Sequence, residues 1–347
     1  MQLGIRRALA VSCEAAMEND AQLELMGRES RRPAPPFDTL AERVKRWAER
    51  GVYFGTSSWR YEGWLGQVYS RERYTARGRF SKARFERECL AEYAGTFPTV
   101  CGDFSFYQFY PQTFWDRLFA QTPATFQFGF KAPEIITSPR FADLERHGTR
   151  RGGVNESFLD ADRLKAEFLD RLAPHRAQVG YVAFEFPQFH GATAAGNAKF
   201  LEQLDRFLGR LPGTFRYGVE VRTPGLLGAD YFACLRRHRV AHVFNSWTRM
   251  PAIGEQLKLA GAFTTDFTVT RALLRPGRVY AEAVRLFQPY DQVRDPFPEG
   301  VSDMAAVIRA ALAWSPKAKA FIAVNNRFAG NAPVVIGEVL DELEGKE

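Results

Sequence analysis

Eight short segments rich in apolar, β-branched and aromatic residues recur along this chain, and nearly all end in a polar or charged residue at the same relative place. Helix-like stretches separate most of them. This alternation is typical of a closed (β/α)8 barrel, the TIM barrel, whose strands all point their carboxyl ends at one shared face. The residues at the strand ends are therefore candidate site residues. The eight segments are Val52–Ser57, Thr99–Ser105, Phe126–Lys131, Gly180–Glu185, Phe215–Arg222, Ala241–Asn245, Phe267–Arg271 and Ala320–Asn326.

The chain has 347 residues, more than the roughly 250 that a minimal barrel needs. Residues 1–36 show no sustained periodicity and end in RESRRPAPP, so we predict a flexible N-terminal extension and linker. Residues 37–347 are predicted to form one α/β barrel domain. Its first helix places Leu40, Val44 and Trp47 on one face, and this helix is expected to cover the N-terminal end of the barrel.

The composition limits which binding partners and which cellular compartment we expect for this protein. No window approaches 18 uninterrupted apolar residues, and the apolar run near the start is short for a signal peptide, so we expect a cytoplasmic protein without a membrane partner. The four cysteines are widely spaced and form no CxxC pair, which argues against a zinc ribbon or a disulfide scaffold. The net charge of +7 favours anionic partners, nucleic acid included, although no Lys/Arg block resembles a nucleic-acid-binding tail.

Several short motifs, in this order and spacing, resemble the domain-of-unknown-function 72 family, the YecE-like barrels. The likeness covers about residues 52–343 and implies the barrel fold without naming a reaction. The segments that carry it are Gly55-Thr56-Ser57-Ser58-Trp59-Arg60-Tyr61, Ser105-Phe106-Tyr107, Lys131-Ala132-Pro133, Phe184-Glu185-Phe186-Pro187, Glu220-Val221-Arg222, Asp266-Phe267 with Arg271, and Asn325-Asn326 with Gly330, Ala332 and Pro333.

The chain also departs from the family pattern, which identifies it as a divergent member. Cys101 and Asp103 stand where the resemblance implies a Glu and an Asn, and Glu185 stands where it implies a Gln. Ser138 and Thr223 each replace a His that the pattern implies. The Leu-His-Gly expected after Arg271 is absent. A family-wide activity therefore does not transfer directly to this chain.

The strand ends combine four cations with three carboxylates. Buried charges must be paired. If these residues have a purely structural role, their charges neutralise one another in one network. The surplus cation indicates instead an anionic ligand held by arginine forks, with Lys131 as a point charge. Trp59 and Tyr107 would add a stacking surface for a sugar or a base. The four cations are Lys131, Arg222, Arg271 and Arg327, and the carboxylates are Asp103, Glu185 and Glu220.

Other chemistries find less support in the sequence. The five histidines form no His-x-His or His-Glu-x-x-His arrangement, so no metal site is predicted. An all-oxygen Mg²⁺ site on Asp103, Glu185 and Glu220 stays open as an alternative. Cys101 as a nucleophile would need a nearby histidine, which the sequence does not show. No Gly-x-Gly-x-x-Gly motif or P-loop is present, and the cofactor is left unknown.

We therefore predict an anion-binding pocket at the strand ends, in an enzyme acting on a phosphorylated or sugar-like small molecule. Two alternatives stay open: nucleic-acid binding or processing, by analogy with endonuclease IV-like barrels, and a non-catalytic ligand-binding barrel. The acid–base candidates are Glu220, Glu185 and Asp103. The predicted ligand-binding residues are Lys131, Arg222, Arg271, Asn325, Asn326, Trp59, Tyr107 and Ser57.

Overall fold

The computed structural model of the chain describes residues 37–189, 193–315 and 317–345. Eight parallel strands close into a barrel in which each strand pairs with its sequence neighbours and the last pairs with the first. This confirms the predicted (β/α)8 fold. The strands are β1 (Val52–Thr56), β2 (Thr99–Gly102), β3 (Gln127–Lys131), β4 (Val179–Phe186), β5 (Tyr217–Val221), β6 (Ala241–Ser246), β7 (Phe267–Ala272) and β8 (Lys319–Val324).

Helices connect the strands and surround the barrel. They are α1 (Phe37–Glu49), α2 (Lys82–Thr96), α3 (Gln112–Phe119), α4 (Glu134–Thr137), α5 (Ala161–Leu164), α6 (Ala194–Leu208), α7 (Ala229–Arg237), α8 (Ile253–Leu257), α9 (Tyr280–Phe287), α10 (Pro298–Trp314) and α11 (Ala332–Glu344). The amphipathic stretch after α4 is less regular than its periodicity predicts, because α5 continues into a π-helical turn at Lys165–Leu169. No helix in the described ranges is long and apolar enough to cross a bilayer.

Large apolar side chains fill the lower half of the barrel interior. Residues on one face of each strand alternate with residues that face the helices, and the inward set includes Tyr53, Tyr181 and Phe321. The Phe321 ring lies 5.0 Å from that of Tyr53 and 5.2 Å from that of Tyr181. Gly55, above Tyr53, must be glycine, because a Cβ there would overlap the carbonyl oxygen of Thr99 on β2. The lumen is therefore closed, and the inward positions above this layer carry the polar side chains.

Helix α1 packs through its predicted apolar face. Leu40, Val44 and Trp47 are all buried. The Trp47 indole nitrogen donates to the Glu344 carboxylate on α11 at 3.2 Å, and α1 also contributes Arg43, which pairs with Glu344 at 2.7 Å. Residues 1–36 lie outside the described ranges, so the domain boundary at residue 36 stays a prediction.

Candidate ligand site at the carboxyl ends of the barrel strands

Arg271, at the end of β7, forms the centre of the upper barrel interior. Its side chain is only 1% exposed. One terminal nitrogen contacts both Glu185 on β4, at 2.7 Å, and Glu220 on β5. The other donates to Asp103, just beyond β2, at 2.9 Å. A single guanidinium thus joins carboxylates that three different strands deliver, as the convergence of strand ends predicts.

Two further cations complete this network. Arg222 lies 2.7 Å from Glu185 and 3.1 Å from Glu220, and the Lys131 ammonium lies 3.0 Å from Glu185. Three cations therefore balance three carboxylates, and the central charge is neutral. We name these six residues the central charge network.

The network limits what Glu185 and Glu220 can do chemically. Burial alone would raise the pKa of Glu185, but Arg222, Lys131 and Arg271 outweigh that effect and hold it well below its usual range. Glu220 is fully buried, and both its oxygens accept hydrogen bonds from guanidinium groups. Neither carboxylate is placed to donate a proton to a ligand. Asp103, whose side chain is 30% exposed, is the accessible carboxylate of the network.

Aromatic rings flank the network. The Arg222 guanidinium lies 3.6 Å from the Trp247 ring centroid, and the Lys131 ammonium lies 3.9 Å from that of Phe106, both within cation–π range. Neither ring was predicted as a site residue, although Phe106 lies in the Ser105-Phe106-Tyr107 motif. Trp247 could have been found by extending the alternation of β6 past Asn245, since positions 245 and 247 share a strand face.

A cavity of about 390 Å³ opens beside Asp103, between the loops that follow β1 and β2. Trp59 and Tyr107 contribute to its wall, as do Arg60 and Arg117. Trp59 is largely buried, and the Arg60 guanidinium lies 5.3 Å from its ring centroid, while Tyr107 is 61% exposed. Arg117 lies on α3 rather than at a strand end, so no strand-based signal identifies it.

A family model described as "Protein of unknown function DUF72" matches residues 53–347, which is most of the chain. The chain belongs to the DUF72 family. The UPF0759 protein YecE of Escherichia coli K12 is 28% identical over 173 residues, and so is that of strain O157:H7; the match covers 50% of this chain and 49% of each relative. The chain therefore aligns with about half the length of these curated relatives.

Solved DUF72 structures share the fold. A DUF72 protein from Enterococcus faecalis superposes with a TM-score of 0.57 at 14% identity, covering 84% of this chain and 95% of that one. A DUF72 protein from Thermotoga maritima gives a TM-score of 0.53 at 17% identity, covering 85% and 98%. At these identities the likeness supports the barrel architecture alone.

Two residues that the sequence analysis listed as departures from the implied motifs, Asp103 and Glu185, both contact Arg271. Burial raises the pKa of Cys101, the third, to about 11, so this residue is a neutral thiol and carries no negative charge. The centre therefore has three carboxylates against three cations.

Three other predicted residues make contacts that stabilise the backbone around the site. The Asn325 side-chain oxygen accepts from the Arg327 amide at 2.9 Å, and that of Asn326 accepts from the Ala332 amide at 2.8 Å, at the start of α11. Ser57 follows β1, where its amide donates to the Val324 carbonyl at 3.1 Å. The Ser57 hydroxyl and the Asn326 amide nitrogen are buried and have no hydrogen-bond partner among the described residues.

The fourth predicted cation lies outside the central charge network. The Arg327 guanidinium lies 4.5 Å from the ring centroid of Tyr280 and makes no ion pair with a carboxylate of the described residues. Burial raises the pKa of the nearby Tyr61 to about 12, an effect that the charge of Arg327 opposes. The surplus positive charge counted from the sequence is therefore at the rim of the barrel mouth.

The oxygen atoms considered for Mg²⁺ are already engaged. Asp103, Glu185 and Glu220 all contact Arg271, so a divalent cation would compete with a resident guanidinium. On the outer helices, ligand atoms of Asp205, Cys234 and His238 lie within 4.8 Å of one another, a group that the sequence did not predict. The Asp205 carboxylate forms a hydrogen bond of 2.8 Å with His238. Burial raises the pKa of Cys234 to about 11, so its thiol is neutral. These features are those of a packing contact between α6 and the end of α7.

Proposed function

We propose that this barrel binds a small anionic molecule, of the class of phosphorylated or carboxylated sugars, in the cavity beside Asp103. One observation carries the proposal. Asp103 joins the central charge network to a cavity whose two arginines, Arg60 and Arg117, make no ion pair with a carboxylate of the described residues. Such arginines supply forked donors that match phosphate or carboxylate oxygens.

The shape and lining of the cavity support a ring-containing ligand. Its volume of about 390 Å³ falls in the usual range for small-molecule sites, roughly 300–1,000 Å³. The exposed Tyr107 ring provides aromatic surface on which the apolar face of a sugar or another planar group can stack. Asp103 can accept hydrogen bonds from ligand hydroxyl groups.

Because the central charge network is neutral, we assign anion binding and acid–base chemistry to other residues than those expected from the sequence. Lys131, Arg222 and Arg271 are already paired with carboxylates. A ligand anion therefore gains more from Arg60 and Arg117, which have no carboxylate partner among the described residues. Acid–base chemistry on a bound ligand would fall to Asp103, because Glu185 is held ionised and Glu220 is inaccessible. A binding protein without turnover needs only the same cavity.

Nucleic-acid binding has less support. Two arginines of the long loop after β3 are engaged with acidic side chains: Arg146 pairs with Glu134 at 3.0 Å and Arg151 with Asp143 at 3.6 Å. These pairs break the continuous basic rim that a phosphate backbone would need.

Native mass spectrometry of freshly purified protein, followed by thermal unfolding with a panel of sugar phosphates and sugar acids, tests the proposal. A ligand of this class should raise the Tm by linkage to the folded state. The Arg60→Ala/Arg117→Ala variant should lose the response, while Arg46→Ala, which removes an exposed charge on α1, should keep it.

Asp103→Asn separates binding from chemistry. It preserves the shape of the side chain, so binding should persist while any turnover of the bound molecule is lost. The absence of a co-purified molecule together with no Tm response to the whole panel would exclude the proposed site.

A further inference from the structure

A second polar cavity, of about 410 Å³, lies at the opposite, N-terminal end of the barrel. Its wall includes Gln127 and Val179 at the starts of β3 and β4 and the loop at 213–216 before β5. Lys319, the first residue of β8, closes one side. We name it the basal cavity.

Three basic side chains line the basal cavity, and no acidic one does. They are Arg176, Arg216 and Lys319. None makes an ion pair with a carboxylate of the described residues. Arg216 has one side-chain contact, a long hydrogen bond of 3.5 Å to the Gly180 carbonyl, and the Lys319 ammonium lies 5.8 Å from the centroid of the Tyr53 ring.

Asp266 is the acidic residue nearest in the strand ladder, and it does not neutralise this group. Its backbone carbonyl accepts from the Lys319 amide at 3.3 Å. Its carboxylate accepts from the Thr265 hydroxyl at 3.1 Å instead of pairing with a cation. The positive charge of the basal cavity is thus uncompensated within the described ranges.

Like charges held close together in a partly buried site repel one another. Burial and the neighbouring charge of Arg216 both lower the pKa of Lys319, which shows that the two cations affect each other. Some largely buried arginines of this chain do have a carboxylate partner, as Arg43 has Glu344 and Arg278 has Asp295. The three cations of the basal cavity have no such partner within the described ranges.

We propose that the basal cavity binds a small multivalent oxyanion, a phosphate or diphosphate group. Two guanidinium forks and an ammonium are a donor set suited to phosphate oxygens, and the Thr214 hydroxyl in the wall adds a neutral donor. The volume of about 410 Å³ accommodates a diphosphate with its hydration water. Because the basal cavity exists only in the folded chain, a bound anion stabilises the fold by linkage.

Pyrophosphate titration, followed by ³¹P NMR line broadening and by Tm, tests this site. We expect saturable binding and a rise in Tm that sodium chloride at equal ionic strength does not reproduce. In Arg216→Ala/Lys319→Gln the dissociation constant should rise at least about tenfold, whereas Lys319→Arg, which keeps the charge, should retain binding. Lys199→Ala is the matched control, since it removes one exposed positive charge on α6, and it should leave the titration unchanged.

Further variants and a second ligand distinguish loss of binding from loss of folding and identify the site. Arg176→Ala alters an exposed side chain that makes no hydrogen bond or ion pair with another described residue. It should therefore fold normally, and it should weaken binding even if the double variant fails to fold. The Arg60→Ala/Arg117→Ala variant should keep the pyrophosphate binding that Arg216→Ala/Lys319→Gln loses, which separates this site from the cavity at Asp103. Tighter binding of a nucleoside diphosphate than of pyrophosphate would assign the natural source to a nucleotide, and tighter pyrophosphate binding would assign it to the free anion. Equal binding by wild type and the charge-removing variants, or full reproduction by sodium chloride, would overturn the proposal.

Discussion

Replacing Arg271 with Met should destabilise the barrel strongly. The substitution removes the guanidinium that contacts Asp103, Glu185 and Glu220, so the net charge of the central charge network changes from zero to −1. Glu185 keeps Lys131 and Arg222, and Asp103 is exposed enough to be hydrated. One oxygen of the fully buried Glu220 loses its cation. Removing one partner of a buried ion pair costs about 3–5 kcal/mol. Because Glu185 and Glu220 keep other cations, we expect Arg271→Met to lower the free energy of unfolding by about 3 kcal/mol.

A double-mutant cycle with Glu220→Gln tests whether the unpaired Glu220 carboxylate causes that loss of stability. Glu220→Gln restores neutrality when combined with Arg271→Met, so the double variant should be more stable than the sum of the single losses implies. We expect a coupling of about 1–3 kcal/mol, measured from urea unfolding at pH 7. The matched control is Arg275→Met, which breaks a half-exposed pair with Asp295 and should cost at most about 1 kcal/mol. Additivity within about 0.5 kcal/mol, or a loss no larger than that of the control, would refute this reasoning.

Three further predictions concern the fold. Burial lowers the pKa of His242 to about 4, so the unfolded chain binds this proton first as the pH falls. The free energy of unfolding should then decrease by about 3 kcal/mol between pH 6.5 and 4, and His242→Gln should remove that decrease in urea melts. Gly55→Ala should cost more than about 4 kcal/mol or abolish soluble expression, because its Cβ would overlap the Thr99 carbonyl. Removing residues 1–36 should change the Tm by only a few degrees, whereas removing residues 1–50 should lower it further or give insoluble protein, since that deletion takes away α1.

The strands were predictable because each is a short apolar run that is buried along nearly its whole length, and their observed ends lie within a few residues of the predicted ones. The exception is β2, predicted over Thr99–Ser105, which ends at Gly102 and turns into a 3-10 helix. The Ser105 hydroxyl donates to the Gly102 carbonyl at 2.9 Å and to the Lys131 carbonyl at 2.6 Å. This side-chain bonding competes with the extended conformation, and it involves a strand that is distant in sequence. Asp103 consequently lies in a turn at the cavity wall.

The candidate site was predictable only in part, because some of its contacts depend on residues that are distant in sequence. Convergence of strand ends follows from barrel topology, and it correctly brings Lys131, Arg222 and Arg271 together with their carboxylates. Which cation remains unpaired depends on the directions of long side chains, and Arg327 turns to Tyr280 instead. Arg117 reaches the cavity from a helix, where no strand pattern applies.

The apolar layer inside the barrel separates two electrically distinct ends. Tyr53, Tyr181 and Phe321 fill the lumen between the central charge network above and the basal cavity below. A low-dielectric layer of this kind excludes water and mobile ions, so no proton or counterion can pass along the axis to equalise the two ends. Each end must therefore balance its charges with side chains or ligands that reach it from its own side of the layer.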